Sequence, residues 1–356
     1  MELIKGAIKK YDWGVQGLGS QVAQLGSMGK HITEIVKPND YFAELWLGTH
    51  PSGSASLLST GISLKNARKG NLPYLLKVLS VSKALSIQIH PDKLLASKLH
   101  QSKPEMYPDA NHKPEIAVCV GSRFEALCGL RSNAKDLIEL HYPWLRPVKT
   151  IKELLLPQNK TCVFDTLYNV IKRKHNNNTK SPLDKIILKL YQEHGEDVCV
   201  LAPIFMNHIV LGYGDALAVF PGTPHAYLSG DFIVECMACS DNVIRLGLTT
   251  KQIDLETVST MDLSDVYQVI RTGQSNSSGI KEYCVFDEFR LRLLDNIKDL
   301  DVCRFGKDSI MLVLCGTAIV QGEQVQKGSA VFFPKETEIK FYCVNNLQVV
   351  IADPGV

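Results

Sequence analysis

The sequence predicts a mainly β protein that is interrupted by a helical insertion. Residues 72–90 and 199–245 divide into short apolar runs between Gly and Pro, which is typical of the strands of a β-sandwich or barrel. Between them, residues 133–192 carry apolar side chains at three-to-four spacing, the period of a helix packed on a core. Beyond residue 274, short turn-bounded apolar runs return and predict a second barrel.

The composition is that of an ordinary globular protein. The 356 residues allow two or three domains, and 45% hydrophobic with 21% charged residues argues against disorder. A formal net charge of +2 gives no strong field that would attract nucleic acid. No apolar run approaches the roughly 20 residues of a membrane span, and residues 1–6 lack the apolar start of a signal peptide. We therefore expect a cytoplasmic protein with neither nucleic acid nor membrane as a partner.

The ten cysteines fit reduced core residues better than a disulfide framework, because their spacing is irregular. Cys236 and Cys239 have the spacing of half a zinc knuckle, but the sequence offers no second pair at a suitable distance. We expect both to be buried free thiols.

Helical periodicity is clearest in residues 134–140 and 183–190. A polar segment at 174–182 joins them and predicts a loop without a core of its own. A second polar segment at 274–279 precedes the C-terminal region. The strands predicted in that region are 310–314, 318–320 and 330–334.

One predicted strand carries a polar face that is suited to a metal ion. Because side chains alternate along a strand, Ser86, Gln88 and His90 share one face, opposite an apolar face. Gln88 and His90 are roughly 6.6 Å apart along the strand, so both can reach one ion. A solvent-facing edge strand is the alternative interpretation.

A possible carboxylate ligand follows in residues 111–115. If this segment is extended, Lys113 and Glu115 share a face, whereas His112 faces away or lies in the turn that Pro114 favours. Glu115 could then be a hard oxygen ligand. The alternative is a surface ion pair between Lys113 and Glu115, which would contribute little stability.

Residues 214–227 predict a strand that breaks at a Pro/Gly turn and then presents His225 at the start of the next strand. A single His after a turn can be purely structural. Gln88, His90, Glu115 and His225 together nevertheless form a mixed nitrogen and oxygen set that suits zinc or another divalent ion.

Charges of both signs are concentrated in residues 235–251. Glu235, Asp241, Arg245 and Lys251 fall within this short stretch. Such a mixture is either a solvated loop or a pocket in which carboxylates transfer protons while Arg or Lys binds a phosphate.

Six segments, taken together, resemble the type I phosphomannose isomerases, which have the cupin fold. The segments are Tyr11-Asp12-Trp13-Gly14 and residues 44–51, 72–80, 86–93, 111–115 and 225–251. The resemblance runs in the same order from about residue 8 to residue 260. It implies two cupin jelly-roll barrels with a small helical domain, and an isomerase that acts on a sugar phosphate as a monomer.

The resemblance also implies roles for particular residues. One zinc ion per chain would be bound by Gln88, His90, Glu115 and His225. The active-site groups that it implies are Arg245, Lys113, Asp241, Glu235 and His112. The groups implied to hold substrate or phosphate are Ser86, Lys113, Lys251 and Arg245.

The domain boundaries follow from the same resemblance and from the pattern of elements. We expect residues 1–130 with 200–265 to form the catalytic cupin domain, residues 131–199 the helical domain, and residues 266–356 a C-terminal cupin domain. Residues 328–334 resemble a cupin motif that begins with Gly and ends with Pro, but the metal-binding histidines of such a barrel are missing. We therefore expect a structural role for the C-terminal domain.

The reaction implied by the resemblance interconverts mannose 6-phosphate and fructose 6-phosphate by moving a proton between C1 and C2 through a cis-enediol. It would supply mannose 6-phosphate for GDP-mannose and mannosylation, with zinc stabilising the enediolate charge. The sequence does not rank Lys113, Asp241, Glu235 and His112 as proton carriers. Arg245 could bind phosphate or stabilise the oxyanion, and we favour the second role. The alternative classes are a non-catalytic cupin and an iron-dependent cupin dioxygenase.

This chain departs from the family pattern at three places, one of which is a helical region shorter than in many relatives. Around residues 232–234 it holds one residue more between His225 and Arg245, which predicts a β-bulge that restores the register. Thr250 stands where the family often has Pro, next to Lys251.

Overall fold

The chain forms a mainly β structure with its longest helices grouped in the middle of the sequence. The computed structural model describes residues 1–27, 36–175, 181–271 and 279–355. The strands are β1 Glu2–Lys5, β2 Ala7–Lys9, β3 Val15–Gln16, β4 Tyr41–Phe42, β5 Glu44–Gly48, β6 Ser56–Leu57, β7 Tyr74–Val81, β8 Ile87–Ile89, β9 Glu115–Cys119, β10 Phe124–Leu130, β11 Met206–Leu211, β12 Ala216–Val219, β13 His225–Ala238, β14 Ile244–Gly247, β15 Tyr267–Ile270, β16 Ile280–Tyr283, β17 Phe289–Phe305, β18 Ser309–Val320, β19 Glu323–Gln326, β20 Ala330–Phe333 and β21 Thr337–Pro354.

The helices separate the strands into groups. They are α1 Gln21–Gly26, α2 Leu64–Arg68, α3 Lys93–Ser102, α4 Ala134–His141, α5 Lys160–His175, α6 Pro182–His194 and α7 Leu255–Thr260. Short 3₁₀ turns lie at Gly17–Gly19, Pro143–Leu145, Ile151–Leu155, Pro157–Asn159 and Val198–Ile204. Among the residues described, no helix is long and apolar enough to span a membrane.

The larger sheet has eleven strands and is organised around β13. Its main path is β15-β12-β9-β13-β7-β5-β2, and β8, β10, β11 and β14 branch from it. The long strand β13 pairs with β8 and β10 near its start and with β7 and β9 further along. These pairings place β8, β9 and β13, which carry or adjoin the predicted metal ligands, beside one another.

The second sheet has eight strands in the order β16-β17-β21-β18-β20-β1-β6, with β19 on β18. Its strands come mostly from the C-terminal region, but β1 and β6 from the beginning of the chain complete one side. Tyr74 on β7 connects the two sheets, because its buried hydroxyl donates to the carbonyl of Ala352 at 2.9 Å. The division into two closed barrels and the domain boundaries stay predictions.

The predicted helical insertion is confirmed by α4, α5 and α6. Helix α6 begins where the sequence favours a start: Ser181 is the N-cap and accepts a hydrogen bond from the backbone N–H of Leu183, and Pro182 occupies the first turn. Ile187 and Leu190 on α6 are fully buried in the core cluster of this region. Positions 176–180 of the predicted loop and 274–278 of the second polar segment lie outside the described residues.

The C-terminal strands differ from the prediction in one respect. Residues 310–314 and 318–320 belong to the single strand β18, not to two strands. Gly316, the middle of the three residues between these runs, has φ +82°. A side chain there would overlap the backbone oxygens of Asn345 and Asn346. Glycine allows β18 to bend and continue, so it does not end the strand here.

The predicted bulge is confirmed in β13. Gly230 pairs with Val81 and Ile233 pairs with Leu79, so β13 holds one more residue than β7 over this interval. Beyond the bulge the register places Glu235 directly opposite Lys77. The extra residue is thus absorbed before the part of β13 that carries the predicted pocket groups.

The contact between the sheets leads to a stability prediction. Tyr74→Phe removes the hydroxyl that donates to Ala352, and we expect the free energy of unfolding to fall by about 1 kcal/mol. Chemical denaturation followed by tryptophan fluorescence measures this. Tyr168→Phe is the control, because the Tyr168 side chain on α5 is 63% exposed. An equal loss in both variants would contradict a specific contribution from the contact between the sheets.

Candidate metal centre and active site

Three predicted ligands meet at strand ends in the larger sheet. His90 directly follows β8, Glu115 is the first residue of β9, and His225 is the first residue of β13. Each adjoins a proline, which cannot donate to a β-ladder and therefore favours the end of strand pairing at that point. The prolines are Pro91, Pro114 and Pro224.

The three side chains are buried against one another. His90 Nε2 lies 3.2 Å from Glu115 Oε2, and His225 Nε2 lies 2.9 Å from Glu115 Oε1. All three residues are at most 1% exposed, and their ligand atoms lie within 4.8 Å of one another. His90 Nε2, His225 Nε2 and Glu115 Oε2 are buried without a hydrogen-bond partner among the described residues. Such a set of buried ligand atoms without hydrogen-bond partners fits a divalent cation.

Backbone carbonyls fix the tautomer of both imidazoles. His90 Nδ1 lies 3.0 Å from the carbonyl oxygen of Asn242, and His225 Nδ1 lies 3.0 Å from that of Thr223. A carbonyl only accepts, so each Nδ1 carries the proton and each Nε2 presents a lone pair to the cluster. These are the second hydrogen bonds that metal-binding histidines usually make.

The electrostatics keep the ligands in the form that binds a cation. Burial, together with the nearby charge of Lys113, lowers the pKa of His90 to about 4. Burial alone would raise the pKa of Glu115, but Lys113 and the two imidazoles hold that pKa well below its ordinary value. At neutral pH His90 is therefore a neutral imidazole and Glu115 a carboxylate, a combination that suits zinc.

Gln88 lies next to this cluster. It is opposite His225 in the pairing of β8 with β13 and opposite Arg245 in the pairing of β8 with β14. The side chain lines the same cavity as Glu115. Its part in metal binding stays a proposal.

A cavity of about 520 Å³ opens beside Glu115. It brings together all but one of the predicted pocket and substrate groups, in addition to Gln88 and Glu115. These groups are Ser86, Lys113, Glu235, Asp241, Arg245 and Lys251.

His112 is the exception, because it is not among the residues that line the cavity. Lys113 and Glu115 point to one side of their extended segment, with Lys113 Nζ 3.4 Å from Glu115 Oε2. His112 points to the other side, where its Nε2 lies 2.6 Å from Glu288 Oε1. The expectation that His112 is a pocket group is therefore corrected. The pair of Lys113 with Glu115 is buried, so the alternative of a surface ion pair is wrong.

Two cations in the cavity have no acidic partner. Among the described residues, neither Arg245 nor Lys251 lies within ion-pair distance of a carboxylate. Burial lowers the pKa of both, and the charge of Arg245 lowers that of Lys251 further. Two neighbouring, partly desolvated cations of this kind form a site for an anion such as a phosphate.

Lys77 is a functional candidate that the sequence analysis missed. It is buried on β7 between Glu235, at 2.9 Å, and Glu44, at 4.0 Å. Burial would lower its pKa, but the two carboxylates outweigh burial and raise that pKa far above its ordinary value. Glu44 also accepts a 2.6 Å hydrogen bond from Trp46 Nε1. A single Lys in the otherwise apolar run 74–79 was the available signal.

His50 is a second residue that was missed. The backbone N–H of Ser52 donates to His50 Nδ1 at 3.2 Å, so the proton lies on Nε2, which is 3.4 Å from Asp241. Burial lowers the pKa of His50 and keeps the ring neutral. Ser52 Oγ also donates to Asp241, at 2.9 Å. The Asp241 carboxylate is thus held by hydrogen bonds, and no Lys or Arg among the described residues pairs with it.

The helical insertion supplies part of the cavity wall. Glu193 Oε2 accepts from the backbone N–H of Ala84, and His194 Nε2 lies 3.1 Å from the carbonyl oxygen of Ala84. Asp197 accepts a hydrogen bond from the backbone N–H of Thr249. The Thr249 hydroxyl in turn accepts one from the backbone N–H of Lys251. Sequence analysis assigned no site residue to this region, because only tertiary packing brings it to the cavity.

Cys236 and Cys239 are the two cysteines whose spacing resembles half a zinc knuckle. Cys236 is fully buried and Cys239 is partly buried, and both are free thiols. Burial raises the pKa of each. The prediction of free thiols is confirmed, and that of full burial holds for Cys236.

Comparison with solved structures establishes the fold. A mannose 6-phosphate isomerase bound with zinc and yttrium has a TM-score of 0.81 at 23% identity, with 100% of both chains covered. The apo form of mannose 6-phosphate isomerase from Salmonella typhimurium has a TM-score of 0.79 at 24% identity, covering 100% of this chain and 99% of that one. The fold is that of a cupin, and its site combines a buried His–Glu–His cluster that could hold a metal ion with a cavity that Arg245 and Lys251 line.

Sequence relatives narrow the class. The family profile described as phosphomannose isomerase type I, catalytic domain, matches residues 1–133. The mannose-6-phosphate isomerase of Macaca fascicularis is 32% identical over 382 residues, which cover 90% of this chain and 88% of that protein. The mannose-6-phosphate isomerase of Homo sapiens is 36% identical over 308 residues, covering 72% and 71%. The chain belongs to the type I phosphomannose isomerase family.

The buried cluster leads to a metal-binding prediction. Glu115→Gln removes the carboxylate charge and leaves Lys113 without its partner, so we expect zinc affinity to fall by more than the about 10–100-fold that loss of an outer hydrogen bond produces. Competition with a chromogenic chelator measures the affinity.

Glu125→Gln is the matched control for this variant. Glu125 is likewise a glutamate beside an imidazole, 2.9 Å from His208 Nε2, but it is only partly buried and lies outside the cavity. Its zinc affinity should equal that of the wild type. Unchanged binding in Glu115→Gln would rule out the cluster as the metal site.

Proposed function

We propose that the chain is a zinc-dependent isomerase that interconverts mannose 6-phosphate and fructose 6-phosphate through a cis-enediol. The observation that carries this proposal is that two neighbouring cations without a carboxylate partner among the described residues, Arg245 and Lys251, line the same cavity as Glu115 of the buried cluster. A sugar phosphate has the two features that such a cavity needs, an anionic end and polarisable oxygens near the reacting carbons. The product mannose 6-phosphate would supply GDP-mannose and mannosylation.

One zinc ion per chain would be held by His90, Glu115, His225 and Gln88. The orphaned nitrogens of the two imidazoles and the carboxylate oxygen support three of these assignments, and the position of Gln88 opposite His225 supports the fourth. When bound, zinc supplies Lewis-acid stabilisation of negative charge on the sugar oxygens.

The phosphate end of the substrate is assigned to Lys251, with Ser86 as a hydroxyl donor. Lys251 lines the cavity and lies on a loop whose backbone N–H groups are held by Asp197 and by the Thr249 hydroxyl. Arg245 pairs in register with Gln88, which is itself opposite His225, so Arg245 lies on the side of the cavity near the buried cluster. We therefore assign Arg245 to the oxyanion that develops during proton transfer.

Proton transfer is best assigned to Asp241. Glu235 is engaged by Lys77 at 2.9 Å, so this carboxylate is already occupied by an ammonium group. Lys113 is likewise engaged by Glu115. Asp241 faces only neutral donors, His50 and Ser52, and its side chain is 38% exposed to the cavity and solvent. The neutral His50 ring, with Nε2 3.4 Å from Asp241, would orient this carboxylate while Asp241 carries the proton.

An iron-dependent oxygenase is the second candidate, because two histidines and one carboxylate also form the usual ligand set of non-haem iron. Gln88 beside the cluster and the cation pair Arg245 and Lys251 favour the isomerase. Elemental analysis of the purified native protein distinguishes the two, since iron as the resident metal would support the oxygenase.

Chelation tests the proposed activity directly. We expect conversion of mannose 6-phosphate, coupled to the reduction of NADP⁺ through fructose 6-phosphate and glucose 6-phosphate, to stop after treatment with a chelator and to return with zinc. Calcium or magnesium should not restore it. Activity that survives complete removal of the metal would refute zinc dependence. A native protein without any isomerase activity would refute the enzyme and support the non-catalytic binding protein instead.

Arg245 and Lys251 should affect different kinetic constants. Arg245→Ala should lower kcat by about 100-fold or more with zinc retained, because an oxyanion partner acts in the transition state. Lys251→Ala should raise KM by about 10–100-fold with little change in kcat, as loss of a charge-assisted phosphate contact predicts. Steady-state kinetics and zinc content measure both.

Lys98→Ala provides the control for these two variants, since Lys98 is exposed on α3 and lies outside the cavity. It should leave both constants unchanged. Loss of zinc from Arg245→Ala would contradict the division of roles, and an unchanged KM in Lys251→Ala would remove Lys251 from the phosphate site.

A further inference from the structure

The turn between β13 and β14 joins the two halves of the proposed active site. Within residues 240–242, Asn242 presents its carbonyl oxygen to His90 Nδ1 at 3.0 Å, and Asp241 extends its carboxylate into the cavity. One short piece of main chain thus orients a metal ligand and carries the proposed proton carrier. A displacement of this turn would disturb both functions together.

Asp109 holds this turn in place. Its Oδ1 accepts from Ser240 Oγ at 2.8 Å and from Asn242 Nδ2 at 3.1 Å, and its Oδ2 accepts from the backbone N–H of Asp241 at 2.8 Å. Asp109 therefore contacts every residue of the turn. It lies on the segment before β9, 131 residues earlier in the sequence than Ser240, and it does not line the cavity.

The hydrogen bonds around Asp109 use both of its carboxylate oxygens as acceptors. The backbone N–H of Asn111 donates to Oδ1 at 2.9 Å, which brings the number of donors to four. An amide in place of the carboxylate would turn an N–H group toward one of these donors, so at least one hydrogen bond would become a repulsive contact. Ser240 and Asn242 are at most 1% exposed, so water cannot easily replace the lost acceptor.

We propose that Asp109 is a positioning residue that fixes the 240–242 turn, and thereby both the orientation of the His90 imidazole and the place of Asp241. The inference rests on the proposed zinc isomerase function and extends it to a residue that touches neither the metal ligands nor the cavity. The chain of contacts runs from Asp109 through the Asn242 side chain and main chain to His90 Nδ1. A parallel contact runs from Asp109 to the backbone of Asp241.

Asp109→Asn tests this inference by two measurements. Zinc affinity, measured by chelator competition, should fall about 10–100-fold, as it does when the outer hydrogen bond of a metal-binding histidine is disturbed. At saturating zinc, kcat for mannose 6-phosphate should fall by at least about 10-fold while KM changes little, because Asp241 is displaced and Lys251 is not.

Asp184→Asn is the matched control. Asp184 is also a buried carboxylate with several donors, Tyr142 and Arg173 among them, but it lies on α6 away from the turn. Both variants should lower the melting temperature of the zinc-free protein. Only Asp109→Asn should weaken zinc binding. If Asp184→Asn weakened it equally, the effect would come from general destabilisation and the inference would be overturned.

Ser240→Ala keeps the test decisive if Asp109→Asn does not fold. It removes one of the four donors, and zinc affinity should fall by about 2–10-fold. If the wild type binds zinc and both Asp109→Asn and Ser240→Ala bind it with the same affinity, the role of Asp109 is overturned while the proposed function stands. A wild-type chain that binds no zinc would overturn the proposed function, and the inference with it.

Discussion

The buried charge of Glu115 is the constraint on which the rest of the active site depends. At 1% exposure the carboxylate has lost its hydration, and such a charge is tolerated only where nearby cations or donors compensate it. Lys113 compensates part of it at 3.4 Å, but the two imidazoles present lone pairs to the same point. The cluster therefore has an excess of acceptors that a divalent cation satisfies, which couples metal binding to the packing of three strand ends.

Strand β13 connects the buried cluster with the ion pair further along the same strand. It begins with His225, bulges between Gly230 and Ile233, and then sets Glu235 opposite Lys77. The bulge allows the ligand at one end and the ion pair further along to keep their places although the strand holds an extra residue. The tight turn after β13 is then the next point at which the main chain must be fixed, because it returns to the metal ligand His90 through Asn242.

The three residues of the buried cluster could be predicted from the sequence, whereas several residues around them could not. His90, Glu115 and His225 could be predicted because strand alternation and proline punctuation are local signals, and the bulge followed from one surplus residue. Lys77, His50 and Asp109 could not be assigned, since their roles exist only through contacts across tens or hundreds of positions. His112 was misassigned because alternation places it opposite Lys113, and the family likeness outweighed that local signal.

The residues of the buried cluster and the wall of the cavity are anchored in different parts of the fold. The ligands stand on strands of the larger sheet, whereas Glu193 and Asp197 from the helical insertion hold the segments around Ala84 and Thr249. Strands with paired edges move little, but segments held by a few side-chain hydrogen bonds adjust at small energetic cost. The geometry of the metal site is thus protected by the sheet, while the shape of the cavity is set by contacts with inserted helices. A change in the insertion therefore acts on substrate fit before it acts on the metal.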